Sequence, residues 1–141
     1  MRYYLDTNIL IYMLNREPDE LSRDVVAILM DYENTFRTST VCVHELIHLY
    51  QIGKVPLKRN GKDVGINNFS EWLQDMGIDI VPVSVKHLQK LSTLPLMEDH
   101  RDPNDRLIIA QAITDKITLI SSDRKFDKYV KYGLDFVFNK R

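Results

Sequence analysis

The fold turns on one stretch, Asp102-Pro103-Asn104-Asp105-Arg106-Leu107-Ile108-Ile109-Ala110-Gln111-Ala112-Ile113-Thr114-Asp115-Lys116-Ile117-Thr118-Leu119-Ile120-Ser121-Ser122-Asp123. It opens as a helix start, with Asp102 placed to cap, Pro103 at the first helical position and Asp105 as an acid in the first turn. Residues Pro103–Asp115 then read as a long apolar helix. A short apolar run over 117–121 reads as a strand ending just before an acid. Helix, strand, then a carboxylate at the strand's exit is one unit of an α/β sheet.

The same unit recurs in both directions along the chain. Toward the N-terminus, 84–91 reads as a helix, 78–83 as a strand, 66–76 as a helix and 41–50 as a helix with Thr40 as its N-cap. Residues 35–39 form a weaker strand, 21–32 and 8–14 two helices, and 2–5 a short Tyr-rich strand running into Asp6. Toward the C-terminus come a short helix over 126–130 and a last strand over 134–138. The stretch 52–65, with Gly53, Pro56, Gly61 and Gly65, reads as an exposed loop. Five strands separated by helices predict an α/β fold with a mostly parallel sheet covered on both faces and right-handed crossovers.

Composition sets the outer limits. The chain has 141 residues, 44% of them hydrophobic and 28% charged, which suits a single domain over 1–141 and excludes disordered and disulfide-rich classes. A lone cysteine, Cys42, forms no internal disulfide and fits a reducing compartment. Asp6 and Asn8 interrupt the apolar N-terminus, and no run approaches the roughly 20 apolar residues of a membrane helix. The expectation is a soluble, cytoplasmic protein. The net charge of −1 argues against a nucleic-acid partner unless acids and bases are segregated.

The acids are segregated. Asp6 and Asp123 each follow a strand, and ligands of an open parallel sheet bind outside the carboxyl ends of its strands, where strand order switches. If the strands before Asp6 and Asp123 are neighbours there, the two carboxylates meet. Asp105 shares a helix face with Ile108, Ile109 and Ala112; Glu45 lies among Val41, Cys42 and Leu49. A carboxylate on a burying face costs several kcal/mol unless a cation or donors meet it. One divalent cation would satisfy all four, and oxygen ligands select Mg²⁺ or Mn²⁺. Such an ion suits phosphodiester hydrolysis. Taken singly, Asp6 and Asp102 also read as caps, Asp105 as a first-turn acid and Asp123 as the opening of a turn; taken together, the four acids favour a site.

These residues resemble the PIN-domain ribonucleases, in particular the VapC-like toxins of toxin–antitoxin pairs. The resemblance rests on Leu5-Asp6-Thr7-Asn8-Ile9-Leu10, on Glu45-Leu46 after Ser39-Thr40, on the run from His100 to Ala112, and on Leu119-Ile120-Ser121-Ser122-Asp123-Arg124-Lys125-Phe126. It implies a three-layer α/β/α fold and Mg²⁺- or Mn²⁺-dependent cleavage of RNA, leaving a 5′-phosphate and a 3′-hydroxyl. It also implies a homodimer and an antitoxin protein that blocks the site. Carried over, Asp6, Glu45, Asp105 and Asp123 are the metal-binding catalytic acids, with Thr7, Asn8 and Thr40 orienting them. Asp102 reads as a cap rather than a ligand. The 52–65 loop is longer and more polar than the family pattern.

Two other readings have residues behind them. His44-Glu45-Leu46-Ile47-His48 is a literal H-E-x-x-H, which on a helix can present two zinc ligands and a general base, with Glu71 as a conceivable third ligand. That zinc-peptidase reading leaves Asp6, Asp105 and Asp123 without a role. At about 100° per residue, Glu45 also points away from the mean direction of the two histidines. A catalytically silent binding module is the non-enzymatic alternative. A haloacid-dehalogenase-type phosphatase needs an acid where Asn8 stands, and no phosphate-binding glycine loop or nucleophile elbow is present. Lys54, Lys58, Arg59 and Lys62 form one basic group, and Arg124, Lys125, Lys128 and Lys131 another beside Asp123; taken singly most of them read as a solvated surface, and as groups they offer contacts to phosphates flanking the acidic pocket. Tyr3, Tyr4 and Trp72 read as core or interface residues.

Overall fold

A computed structural model describes residues 1–141. In chain order its elements are β1 (Arg2–Leu5), α1 (Thr7–Leu14), α2 (Arg23–Met30), β2 (Thr35–Ser39), α3 (Thr40–Gln51), β3 (Lys58–Arg59) and β4 (Lys62–Asp63). There follow α4 (Phe69–Asp75), β5 (Ile78–Val81), α5 (Val85–Thr93), α6 (Pro103–Asp115), β6 (Thr118–Ser121) and β7 (Phe136–Phe138). Short 3₁₀ segments fill Pro18–Glu20 and Ile66–Asn68, and a longer one runs over Arg124–Tyr132.

Five strands form one sheet in the order β5-β2-β1-β6-β7, and every neighbouring pair is parallel. From β1 the chain steps outward through β2 to β5, then crosses back to β6 on β1's other side. The strand order therefore reverses between β1 and β6, where Tyr3 pairs with Thr118 and Leu5 with Ile120. The condition set by the sequence is met: the strands before Asp6 and Asp123 are neighbours at the switch. Successive strand residues face opposite ways, yet Tyr4 and Leu5 are both fully buried, so helices cover both faces of the sheet. A cluster of 24 buried apolar residues runs through the two layers of contact.

A polar network fastens α5 and α6 to the central strand. The buried Tyr4 hydroxyl donates to Asp115 Oδ2 at 2.5 Å and accepts from Gln111 Nε2 at 3.3 Å. His87 Nδ1 accepts from the Ser84 amide, so Nε2 carries the proton and donates to Asp115 Oδ1 at 2.8 Å.

Several local expectations are corrected. Ser39, not Thr40, caps α3, its hydroxyl accepting from the Val41 amide at 3.0 Å. The 52–65 stretch is not a bare loop. Asn60 and Gly61 both take positive φ, 53° and 77°, which closes the β3–β4 hairpin with a left-handed turn suited to the strands' twist. Leu57 anchors it, fully buried, and Asn15 Nδ2 donates to Pro56 O at 2.8 Å. The expected helix over 66–76 is split into a 3₁₀ turn, Ile66–Asn68, and α4. The 126–130 helix is a 3₁₀ run instead, ended by Gly133 at φ 105°. No helix is long and apolar enough to cross a membrane.

Candidate active site

Asp6 leaves β1 in extended conformation and caps α1. Its amide donates to Ile120 O at 3.0 Å, continuing the β1–β6 ladder one residue beyond the strand. Its carboxylate is 5% exposed and is held by neutral donors alone. Oδ1 accepts from the Thr7 amide at 2.8 Å, while Oδ2 accepts from Ser121 Oγ at 2.6 Å and Asn8 Nδ2 at 3.4 Å. Asn8 Oδ1 accepts from the Ser122 amide at 3.2 Å, and Ser121 Oγ from the Asp123 amide at 3.0 Å. Asn8 and Ser121 thus lock the ends of β1 and β6 together and aim Asp6 and Asp123 from one frame. Burial pushes the Asp6 carboxyl above the ordinary carboxylate range, against the pull of the Ser121 and Thr7 hydrogen bonds.

The other acids come from helices. Asp105 sits in the first turn of α6, behind Asp102, whose carboxylate caps the helix by accepting from the Asn104 amide at 2.9 Å. Burial, and then the charges of Asp6, Asp102, Glu45 and Asp123, push the Asp105 carboxyl up to about 8. Glu45 of α3 is half-buried and lifted to about 7 by burial and by Asp6 and Asp102. The charges of Asp6, Glu45 and Asp123 are thus all felt at Asp105. No lysine or arginine forms an ion pair with any of them. Beside them, the buried Cys42 thiol lies 3.8 Å from Asp6 Oδ1 and is pushed up by burial, which keeps it neutral.

Within the site the tightest group of potential ligand atoms is His100, Asp105 and Asp123, all within 4.8 Å of one another. Asp6 and Glu45 stand outside that group. Sequence reasoning gave His100 no role. The residue sat inside the quoted motif, but its burial behind Phe126 and Tyr129, distant in sequence, had no local signature.

Other expected residues are placed as follows. Thr7 holds Asp6 through its amide, while its hydroxyl donates to Cys42 O at 3.4 Å. The Thr40 hydroxyl accepts from the Val83 amide at 3.2 Å, so Thr40 braces α3 against the end of β5 and does not touch an acid. Arg124 and Lys125 are exposed just beyond Asp123, whose Oδ1 accepts from the Lys125 amide at 2.9 Å. Arg124 stacks its guanidinium 4.6 Å from the Phe138 ring centre, and Lys128 pairs with Asp99. Lys58 and Arg59 belong to the hairpin, where Lys58 pairs with Asp63 across the strands; Lys54 is exposed before it. His44 and His48 are both exposed, and no third potential ligand joins them. His44 lines an apolar cleft with Val43, Ile47, Phe69 and Ile80.

Residues 3–132 match the model of the PIN domain. The chain belongs to the PIN-domain family. As a PIN domain it is similar in fold to three solved toxin–antitoxin structures. VapBC2 from Rickettsia felis, bound to a DNA fragment from their promoter, matches over 99% of this chain and 100% of that one at TM-score 0.69 and 23% identity. VapBC-1 from nontypeable Haemophilus influenzae matches over 98% of each chain, at TM-score 0.68 and 19% identity. DNA-bound VapBC from Salmonella typhimurium also covers 98% of each chain, at TM-score 0.65 and 11% identity. No curated protein matches this PIN domain in sequence.

Proposed function

We propose that this PIN domain is a Mg²⁺- or Mn²⁺-dependent endoribonuclease, the toxin of a toxin–antitoxin pair, acting as a homodimer in the cytoplasm. The observation that supports the reading is that Asp105 and Asp123 lie with His100 within 4.8 Å of one another, that Asp6 is tied to Asp123 through Ser121, and that no lysine or arginine pairs with Asp6, Glu45, Asp105 or Asp123. Clustered acids whose carboxyls burial and mutual repulsion push up are strained toward protonation, and a divalent cation relieves that strain. The donors fit a hard cation, because carboxylate oxygens dominate the set.

In this reading Asp105 and Asp123 hold the ion, with Asp6 and Glu45 completing its negative surroundings. When bound, the ion supplies a strongly nucleophilic water at neutral pH and neutralises charge building on a phosphoryl oxygen. Thr7, Asn8 and Ser121 fix Asp6 so that the site does not reorganise as charge develops. Arg124 and Lys125, exposed at its edge, are placed to hold flanking RNA phosphates; Lys54, Lys58 and Arg59 form a second basic group of the same kind. The antitoxin partner is supported by the toxin–antitoxin complexes that the fold resembles.

RNA cleavage by the wild-type protein and by Asp105→Asn, each with and without chelator, tests the reading. The expected result is cleavage that leaves 5′-phosphate ends, stops with chelator, and falls at least about a hundredfold in the variant. Cleavage undiminished by chelator would overturn it.

A further inference from the structure

His100 is bridged to Met97 at the end of the segment before α6, and its side chain is 3% exposed. The ring lies edge-on to Phe126 and Tyr129, with ring centres 5.7 and 5.3 Å away, so the imidazole has one orientation. Its Nδ1 is 2.8 Å from the Tyr129 hydroxyl. Its Nε2 is buried without a hydrogen-bond partner and lies 3.5 Å from Asp105 Oδ2.

A polar nitrogen buried without a partner is costly to leave unmet. Two tautomers are open to the ring. If Nδ1 carries the proton and donates to Tyr129, the Nε2 lone pair faces the lone pairs of two carboxylates. A cation between them turns that repulsion into attraction. A ring nitrogen fixed by an outer partner while the other points at acids is also how metal-binding histidines are oriented.

We propose that His100 Nε2 is a direct ligand of the divalent ion, together with Asp105 and Asp123, and that Tyr129 positions it. The inference rests on the metal-dependent reading above. It also sharpens that reading, because an imidazole in the donor set favours Mn²⁺ over Mg²⁺.

The test is electron spin-echo envelope modulation of the full chain loaded with Mn²⁺, made with and without ¹⁵N-labelled histidine. A directly bound imidazole gives a nitrogen coupling that changes on labelling. The expected coupling survives in the His44→Gln/His48→Gln double variant, which removes the exposed pair, and disappears in His100→Gln. His100→Gln is expected to weaken Mn²⁺ binding more than about tenfold, and Mg²⁺ binding less. Tyr129→Phe, which keeps the ring packing, is expected to weaken Mn²⁺ about tenfold. Because the labelling experiment uses the wild-type protein, it holds even if His100→Gln fails to fold. Mn²⁺ bound without nitrogen coupling, or coupling that persists in His100→Gln, overturns the ligand assignment alone. No Mn²⁺ binding by the wild type at millimolar concentration overturns it together with the metal-dependent reading.

Discussion

Ser121 Oγ donates to Asp6 Oδ2 at 2.6 Å and accepts from the Asp123 amide at 3.0 Å, so one hydroxyl ties together the two strand ends that carry acids. The hydroxyl belongs to a fully buried residue. Ser121→Ala therefore leaves two groups short of a partner. We expect it to cost about 1–3 kcal/mol in denaturant unfolding. An unchanged unfolding midpoint would show that the bridge does not constrain the site.

The raised carboxyls make metal-free stability depend on pH with a definite sign. The folded protein binds the Asp105 proton up to about 8, whereas the unfolded chain releases it near 3.8. Stability from this group is present in full below the unfolded value and is lost as pH rises through about 8; Glu45 acts the same way between 4.5 and about 7. In the presence of chelator, melting temperature should fall steadily from pH 5 to pH 8. Asp105→Asn should flatten that slope and stabilise the metal-free protein at pH 8. A slope of the opposite sign would mean that the acids are not crowded.

In the metal-dependent reading proposed above, a cation reverses the balance by binding only the folded, ionised cluster. At a concentration a hundred times its Kd it adds about 2.7 kcal/mol, roughly 8 °C in melting temperature for a chain of this size. Mg²⁺ or Mn²⁺ should give such an upward shift at pH 7.5. Asp6→Asn should weaken it, since Asp6 charge is part of the field felt at Asp105. Binding should also release protons, so calorimetric heats should vary with the buffer's ionisation enthalpy. Equal heats in phosphate and Tris buffers would count against ionisation on binding.

How much of this was legible beforehand follows from range of interaction. The βα alternation, the five strands and the addresses of Asp6 and Asp123 at strand ends are local patterns, and the sequence carries them. The Asn60-Gly61 turn was equally local, yet polar flanking residues hid a hairpin whose strands are two residues each. Ser39 outcompeted Thr40 for the cap because β2 runs directly into α3, and no spare residue separates them. His100 was invisible for a different reason. Its role depends on Phe126 and Tyr129 closing over it from a segment more than twenty residues away, and only tertiary packing creates that enclosure.

The zinc-peptidase reading makes a prediction that separates it from the acid cluster. His44 and His48 are exposed on α3 and share no third potential ligand, so neither ring is held for catalysis. The His44→Gln/His48→Gln variant should keep metal-dependent RNA cleavage and melt within about 0.5 kcal/mol of wild type, as surface substitutions do. Loss of cleavage in a folded double variant would restore the histidines to the site.

Stability and chemistry are segregated along α6, and that separation can be measured. Asp115 lies ten residues after Asp105, about 15 Å along the helix at 1.5 Å per residue. At that far end the Tyr4 hydroxyl, Asp115 and His87 satisfy one another between β1, α6 and α5. Tyr4→Phe removes the hydroxyl while keeping the buried ring, leaving Asp115 Oδ2 and Gln111 Nε2 each without that partner. The expected cost is about 1–3 kcal/mol in unfolding. Sites this far apart with no shared partner add independently, so Mn²⁺ affinity and cleavage by the folded variant should match wild type. A Tyr4→Phe protein as stable as wild type but weaker for Mn²⁺ would show that the two ends of α6 are coupled, and that the network serves the site rather than the fold.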